Sequence, residues 1–203
     1  MQEVVFDIGN VLLRWDPRNL YRKVIADEAA REKFLAGPLA MSFVTETDIA
    51  PSFAAAVEAR AAAFPEPAEA LRLFDARWME TLGGAIDENV ALLRRLKASG
   101  ARAHALSNFA HEKFALAAEA YPFLKTFDVA VISGHEGVAK PDRRIFEILA
   151  QRTGRAPQDL VFVDDSAKNV EAARAFGIDA IFYAPGDDLA RAFAERGLAP
   201  PKL

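Results

Sequence analysis

The chain has 203 residues, 52% of them hydrophobic and 27% charged, with a formal net charge of −4 and no cysteine. Those values suit a soluble globular chain long enough to bury a sizeable core, and they exclude a disulfide framework, a thiolate metal site and a cysteine nucleophile. There is no basic footprint for nucleic acid and no apolar run near the roughly 18 residues of a membrane span. Residues 1–13 also lack the cationic start of a signal peptide, so a cytoplasmic protein is expected.

Val4-Val5-Phe6 is short, apolar and rich in β-branched residues, and reads as a strand buried on both faces. It stops at Asp7, and a Gly9-Asn10 kink leads into a second apolar run. Asp16-Pro17 reads as the N-cap and first residue of a helix running through Leu20, Val24 and Ile25 to Phe34 and Leu35, ending at Gly37-Pro38. A turn at Thr45–Asp48 precedes a second helix with Phe53, Val57 and an alanine-rich stretch from Ala54 to Ala63. Pro65-Glu66-Pro67 separates it from a third, carrying Leu71, Phe74, Trp78 and Leu82 and stopped by Gly83-Gly84. Residues 15–84 therefore read as purely helical, an insertion too long for a simple crossover between parallel strands.

From Asp87 onward the pattern alternates regularly. A helix with Val90, Leu93 and Leu96 inward closes at Gly100, and a strand from Arg102 to Leu106 ends in Ser107-Asn108. A helix through Phe114 and Ala118 precedes the strand Phe127–Ile132, which ends in Ser133-Gly134. A loop reaches Lys140-Pro141, and a helix with Ile145, Phe146 and Leu149 closes at Gly154. The strand Leu160–Val163 ends in Asp164-Asp165, followed by a helix to Gly177, a short strand Ala180–Tyr183 and a last helix from Asp187 to Glu195. The expected fold is α/β, a doubly wound parallel sheet built from residues 1–14 and 85–203, with a helical cap from 15–84.

Asp7, Ser107-Asn108, Lys140 and Asp164-Asp165 all fall at a strand end or on the loop leading from one. In a parallel sheet those ends share one edge, where ligands bind. Taken singly, each acidic or hydroxyl cluster has a plainer reading as a helix cap. Together, Asp7 and Asp165 suit a shared hard cation such as Mg²⁺, Ser107 and the Asn108 amide suit an anionic oxygen, and Lys140 supplies a point charge. His104, mid-strand, reads as a core histidine and His135 as a loop residue. The stripe of Leu71, Phe74 and Trp78 reads as core of the insertion, while Trp15 lies where it could meet a ligand.

These residues resemble the motifs of the haloacid dehalogenase-like hydrolases, most closely the phosphatase branch with a helical cap after the first motif. Phe-Asp7-Ile-Gly9-Asn-Val is similar to the first motif, Leu-Ser107-Asn108 to the second, Lys140-Pro141-Asp142 to the third, and Val-Asp164-Asp165-Ser-Ala-Lys-Asn169 to the fourth. About 100 residues separate the first two, room enough for the cap. Each motif is weak alone, but four in order span almost the whole chain. The resemblance implies that Asp7 attacks a small phosphomonoester, such as a sugar phosphate, to form an aspartyl-phosphate that water hydrolyses. It also implies Mg²⁺ held by Asp7, the Gly9 carbonyl and Asp165, with Asp164 as a further acid. Ser107, Asn108 and Lys140 would bind phosphate, and Asn169 would orient the last loop.

One position departs from the family pattern. Two residues after the nucleophile most phosphatases of this kind carry a second Asp as general acid and base, and here that residue is Gly9. The loss removes a contribution of roughly 10²–10⁴-fold. Three readings follow: a phosphatase whose proton donor is elsewhere (Asp16, Glu46, Asp48, His111 or a metal-bound water), a metal-independent 2-haloacid dehalogenase, whose halide leaves unprotonated, or a weak or inactive relative that only binds ligand. The Asp164-Asp165 pair favours the first, because carboxylates packed beside Asp7 repel unless a cation lies between them.

Overall fold

A computed structural model describes residues 2–198; residue 1 and residues 199–203, at the ends of the expected core, lie outside the described residues. Strand β1 (Glu3–Phe6) leads through a turn to β2 (Leu13–Trp15). Five helices follow: α1 (Arg18–Tyr21), α2 (Glu28–Ala36), α3 (Met41–Thr47), α4 (Phe53–Ala63) and α5 (Ala68–Ala76). After β3 (Leu82–Ala85), helices and strands alternate as α6 (Asp87–Ala98), β4 (Ala103–Ser107), α7 (His111–Ala120), β5 (Val129–Ile132), a short α8 (Ser133–Glu136) and α9 (Arg143–Thr153). The chain continues through β6 (Leu160–Asp164), α10 (Ala167–Phe176) and β7 (Asp179–Phe182) to α11 (Leu189–Ala194).

The main sheet is parallel throughout, in the order β5-β4-β1-β6-β7. The chain therefore starts at the middle strand, builds outward on one side and then on the other, as expected for a doubly wound α/β fold. Strand β1 is fully buried, and its side chains alternate: Val4 and Phe6 enter one apolar cluster, Val5 the other. Ile145, Phe146 and Leu149 of α9 and Val170 of α10 cover the Val5 face. Val90, Leu93 and Leu96 of α6, Ala117 of α7 and Phe193 of α11 cover the opposite face. That second cluster runs on without a break into Phe34, Phe43, Phe53 and Phe74 of the inserted helices.

The insertion departs from the purely helical reading in three places. Its ends are an antiparallel β ribbon in which Leu13 faces Ala85 and Trp15 faces Leu82, so Gly83-Gly84 lies within a strand rather than stopping a helix. Strand β3 owes its conformation to this distant partner; its glycine content by itself signals a breaker. The long helix expected from Pro17 to Leu35 is two helices, because the Asp27 side chain accepts from the Ala30 amide at 2.7 Å and caps a new start. The expected turn at Thr45–Asp48 is the last turn of α3, with Asp48 as its C-cap.

The helices are fastened to the sheet through α7. The buried Lys113 ammonium lies 2.6 Å from Asp75 Oδ1, donates to the Asp75 carbonyl and sits 4.5 Å above the Phe53 ring centre. Its neighbour Glu112 accepts from the Phe53 amide at 2.9 Å, at the start of α4. Lys113→Met keeps the packed stem but removes the charge from both partners. It should lower the unfolding free energy by about 1–3 kcal/mol, since Asp75 keeps some water, and urea titration measures the loss.

Candidate active site

The strand ends bring together residues far apart in sequence. Asp7 follows β1, Ser107 ends β4 and Asp164 ends β6, the three central strands, and Lys140 reaches them from the loop after β5. Oδ1 of Asp7 accepts from the Ile8 amide (2.7 Å) and from Ser107 Oγ (2.7 Å) and lies 3.0 Å from Lys140 Nζ. Every one of these contacts falls on the same oxygen, which leaves Oδ2 outside the network. Lys140 Nζ also donates to the Leu106 carbonyl (2.9 Å) and to Asp164 Oδ2 (2.6 Å).

Asp164 is fully buried and held on all sides. Its Oδ1 accepts from the Ser166 amide at 2.7 Å, and Asn169 donates to both oxygens at 3.1 Å. Its direct work is to anchor Lys140, with Asn169 fixing its orientation. Asp165 instead lines the open pocket, its carboxyl raised by burial and by Asp164 beside it, while the Asn10 amide acts in the opposite direction.

Asn108 clamps the Lys140 backbone from both sides, donating to its carbonyl at 3.0 Å and accepting from its amide at 2.8 Å. The sequence placed the Asn108 amide at a helix start, but α7 begins three residues later at His111, so that amide is not one of the helix's N-terminal donors. Ser133 has a similar linking role that the sequence did not reveal. Its hydroxyl accepts from the Phe109 amide (2.8 Å) and donates to the Asp48 carbonyl (2.9 Å), tying the end of α3 to the sheet edge. Close approach of these loops requires Gly134, because a Cβ there would run into the backbone of Phe109–His111.

A pocket of about 270 Å³ opens above Asp7. Its floor is polar, formed by Asp7, Gly9, Asn10, Ser107, Asn108, Lys140, Asp165 and Asn169. Its walls are mostly apolar, formed by Leu13, Trp15, Met41, Val44, Phe74, Trp78, Leu82 and Phe109, with Thr45 and Asp48 the polar exceptions. Phe74 and Trp78 thus serve both the core of the insertion and the pocket, and Trp15 does meet it. Of the inserted helices' ionisable groups, Asp48 alone lines this pocket among the described residues. His104 is a core histidine, 2.7 Å from Glu3, and His111 and His135 lie outside the pocket wall. Asn10, in the left-handed conformation (φ 52°), was visible only as part of a kink; it accepts from the Trp15 amide at 3.0 Å and stands against Asp165.

Burial pushes the Asp7 carboxyl up to about 7; Asp164 and Asp165 add to the rise, and Lys140 and Ser107 oppose it. Lys140 is held above the usual lysine range by Asp164 and Asp7, which overcome the opposite effect of its burial. Three carboxylates therefore cluster beside one ammonium, which pairs with only two of them, Asp7 and Asp164. Asp7, Asp164 and Asp165 each offer an oxygen within 4.8 Å of the others. An all-oxygen donor set with excess negative charge fits a hard divalent cation such as Mg²⁺.

The structure thus combines a doubly wound parallel α/β sheet with a cluster of buried carboxylates and one lysine at its strand ends. The chain belongs to the haloacid dehalogenase-like hydrolases, whose family model matches residues 1–177. It is therefore an enzyme family member at the level of hydrolase. Among curated relatives it is similar to a drimenol cyclase of Aspergillus calidoustus, 26% identical over 98% of this chain and 38% of the relative. It is also similar to a sesquiterpene phosphatase of Aspergillus oryzae, 32% identical over 43% of this chain and 45% of that protein. The chain spans less than half the length of either relative. Among solved structures, a haloacid dehalogenase-family enzyme of Bacteroides thetaiotaomicron superposes with a TM-score of 0.72 at 22% identity, covering 95% of this chain and 98% of that one. Another crystal of that enzyme holds magnesium and inorganic phosphate. A dehalogenase in an intermediate complex superposes equally well, with a TM-score of 0.72 at 20% identity over 100% of this chain and 98% of that one. No helix among the described residues is long and apolar enough to cross a membrane.

The raised Asp7 value predicts a stability effect of definite sign. With a folded value above the ordinary 3.8, ionisation of Asp7 costs the fold progressively more as pH rises from about 4 to about 7, then no more. Asp7→Asn in EDTA should therefore be more stable than the parent above pH 7, by roughly 1–3 kcal/mol, the scale of one unpaired buried polar group. The gain should vanish near pH 4, and Mg²⁺ should narrow it by stabilising only the parent. Thermal unfolding with and without Mg²⁺ at both pH values measures this.

Proposed function

We propose that the protein is a Mg²⁺-dependent phosphohydrolase acting on a small phosphomonoester through an aspartyl-phosphate on Asp7. The carrying observation is the surplus of carboxylates around Lys140, which suits a divalent cation and a dianionic phosphoryl group and is poorly suited to metal-free chemistry. Asp7, Asp165 and the Gly9 carbonyl are the ligands we assign to Mg²⁺, with Asp164 contributing mainly through Lys140. When bound, the cation neutralises charge on the transferring phosphoryl group.

The chain's own residues carry the rest. Ser107, Lys140 and the Ile8 amide hold Oδ1, so Oδ2 attacks phosphorus in line as the bond to the leaving oxygen breaks. Lys140 offers charge to the phosphoryl oxygens, Ser107 can offer its hydroxyl only by turning its one proton away from Asp7 Oδ1, and Asn108 keeps Lys140 in register. Water then cleaves the aspartyl-phosphate and releases inorganic phosphate. Helices α1–α5 act as a cap (residues 15–84) over a core formed by residues 1–14 and 85–203.

The apolar wall refines the substrate. Trp15, Val44, Phe74, Trp78 and Phe109 present almost nothing to a sugar's hydroxyls, and burying unmet hydroxyls there would cost affinity. We therefore assign an apolar organic leaving group in place of the sugar phosphate implied by the sequence; the similarity to a sesquiterpene phosphatase supports this reading. Gly9 keeps the dehalogenase reading in view, since a halide needs no proton.

With Mg²⁺, p-nitrophenyl phosphate should be hydrolysed, EDTA should abolish the rate, and Asp7→Asn should be inert. Metal-independent turnover, or chloride release from L-2-chloropropionate, would overturn the assignment. Trp15→Ala should raise KM for an aryl or prenyl phosphate at least ~10-fold. Competitive inhibition by inorganic phosphate should stay unchanged, and steady-state kinetics separate the two effects.

A further inference from the structure

The first motif lacks a proton donor, yet nothing about its backbone forbids one. A Cβ built on Gly9 meets no atom within 4 Å, and Gly9 is not among the glycines with positive φ. Glycine is therefore not required there by geometry, and the reaction must draw its proton from another group. Of the candidates in the sequence, Asp16 lies on a neighbouring groove, where it accepts from the Arg18 amide at 2.8 Å and pairs with the Arg18 guanidinium. Glu46 is exposed and belongs to neither cavity. His111 stands outside the pocket wall, its ring 6.1 Å from that of His135.

We propose that Asp48, brought in by the C-terminal end of α3, is the general acid and base of this enzyme and takes the place of the carboxylate absent at Gly9. The proposal rests on the phosphatase reading. Asp48, carried by the insertion, lines the same pocket as Asp7. One link ties it to the core and one to its own helix: its carbonyl accepts from Ser133 Oγ at 2.9 Å, and its amide donates to the Val44 carbonyl at 3.1 Å. The charged groups bearing on it are Asp7 and Lys140 across the pocket. Burial raises its carboxyl to about 7, with Asp7 adding and the Ala110 amide and Lys140 opposing, so at neutral pH it is present in both protonation states.

In the first step the protonated Asp48 gives its proton to the leaving oxygen as the bond from that oxygen to phosphorus breaks and the Asp7 Oδ2 bond to phosphorus forms. In the second, the Asp48 carboxylate takes a proton from the water that attacks phosphorus. The Asp7–phosphorus bond breaks, Asp7 is regenerated as a carboxylate, and Asp48 is protonated again.

The test is Asp48→Asn, which keeps the side chain's size and the backbone link to Ser133. With p-nitrophenyl phosphate, whose leaving group needs little acid assistance, it should give a burst of one nitrophenol per active site. Slow turnover should follow, with phosphate retained on Asp7 and detectable after acid quench. With an alkyl phosphate, formation of the intermediate should itself fall ~10²- to 10⁴-fold. Adding Gly9→Asp should restore turnover on both substrates, which repair of packing around residue 48 cannot explain. Unchanged rates in Asp48→Asn, or an equal loss on both substrates with no trapped phosphate and no rescue, would overturn the role of Asp48. A parent enzyme inactive on every phosphomonoester would overturn the phosphatase reading itself, and this proposal with it.

Discussion

The structure depends on one buried ammonium. Lys140 is 3% exposed and serves two carboxylates from two different strands, Asp7 at the end of β1 and Asp164 at the end of β6. A lysine buried this deeply is tolerable only while it is paired, and each carboxylate is in turn tolerable only beside it. That mutual dependence sets the remaining geometry. Asn108 grips the Lys140 backbone, Asn169 and the Ser166 amide saturate Asp164, and Ser107 fixes the nucleophile's inner oxygen. What the network leaves undone is as informative. Among the described residues, Asp165 and the outer oxygen of Asp7 have no cationic partner of their own, a residual demand that a divalent cation would meet.

Around this polar floor the inserted helices set an apolar wall. The combination matters electrostatically, because a phosphoryl group enclosed by Trp15, Phe74 and Trp78 meets Lys140 in a medium of lower dielectric than water, where each charge contact is stronger. The insertion is not an independent lid on a finished core. Its aromatic residues share one apolar cluster with β1 and with the helices on that face of the sheet, and Lys113, Glu112 and Ser133 bind it at three further points. Placing a proton-transfer group on such an insertion is feasible only because it is held this firmly.

Much of this was legible from the sequence, for local reasons. The strand preceding Asp7, the helices closing at Gly154 and Gly177, and the acidic pair after Val163 are all signalled by residues within a few positions of the feature itself. The misreadings share a different cause. Strand β3 is a strand only because β2 lies beside it, and its glycines look locally like a stop. Phe74 and Trp78 are core of the insertion, as their spacing indicated, but that they also line the pocket was not legible, since periodicity reports burial and not what does the burying. The Asn108 amide looked like a helix-start donor because Asn is a good cap, but Phe109 and Ala110 intervene, and the side chain turns instead to Lys140.

The sequence by itself determined the fold class and the family and brought Asp7, Ser107, Lys140 and Asp164 to one place, because strand-end polar residues in a parallel sheet must converge on one edge and the motif order names them. It also exposed the missing carboxylate at Gly9, a purely local absence. Only the tertiary structure decided how the charges are divided, with Asp164 given to Lys140 and Asp165 left facing the pocket, because neighbouring residues on a strand end point to different sides. Only it could separate Asp48 from Asp16, Glu46 and His111, since which of the four lines the pocket with Asp7 depends on how the helical insertion docks. That docking is set by apolar packing and by hydrogen bonds between residues widely separated in the chain. The opening Asp-Ile-Gly motif identifies the family and shows a proton donor missing; the packing of α3 against the sheet brings a carboxylate to the pocket that can supply it.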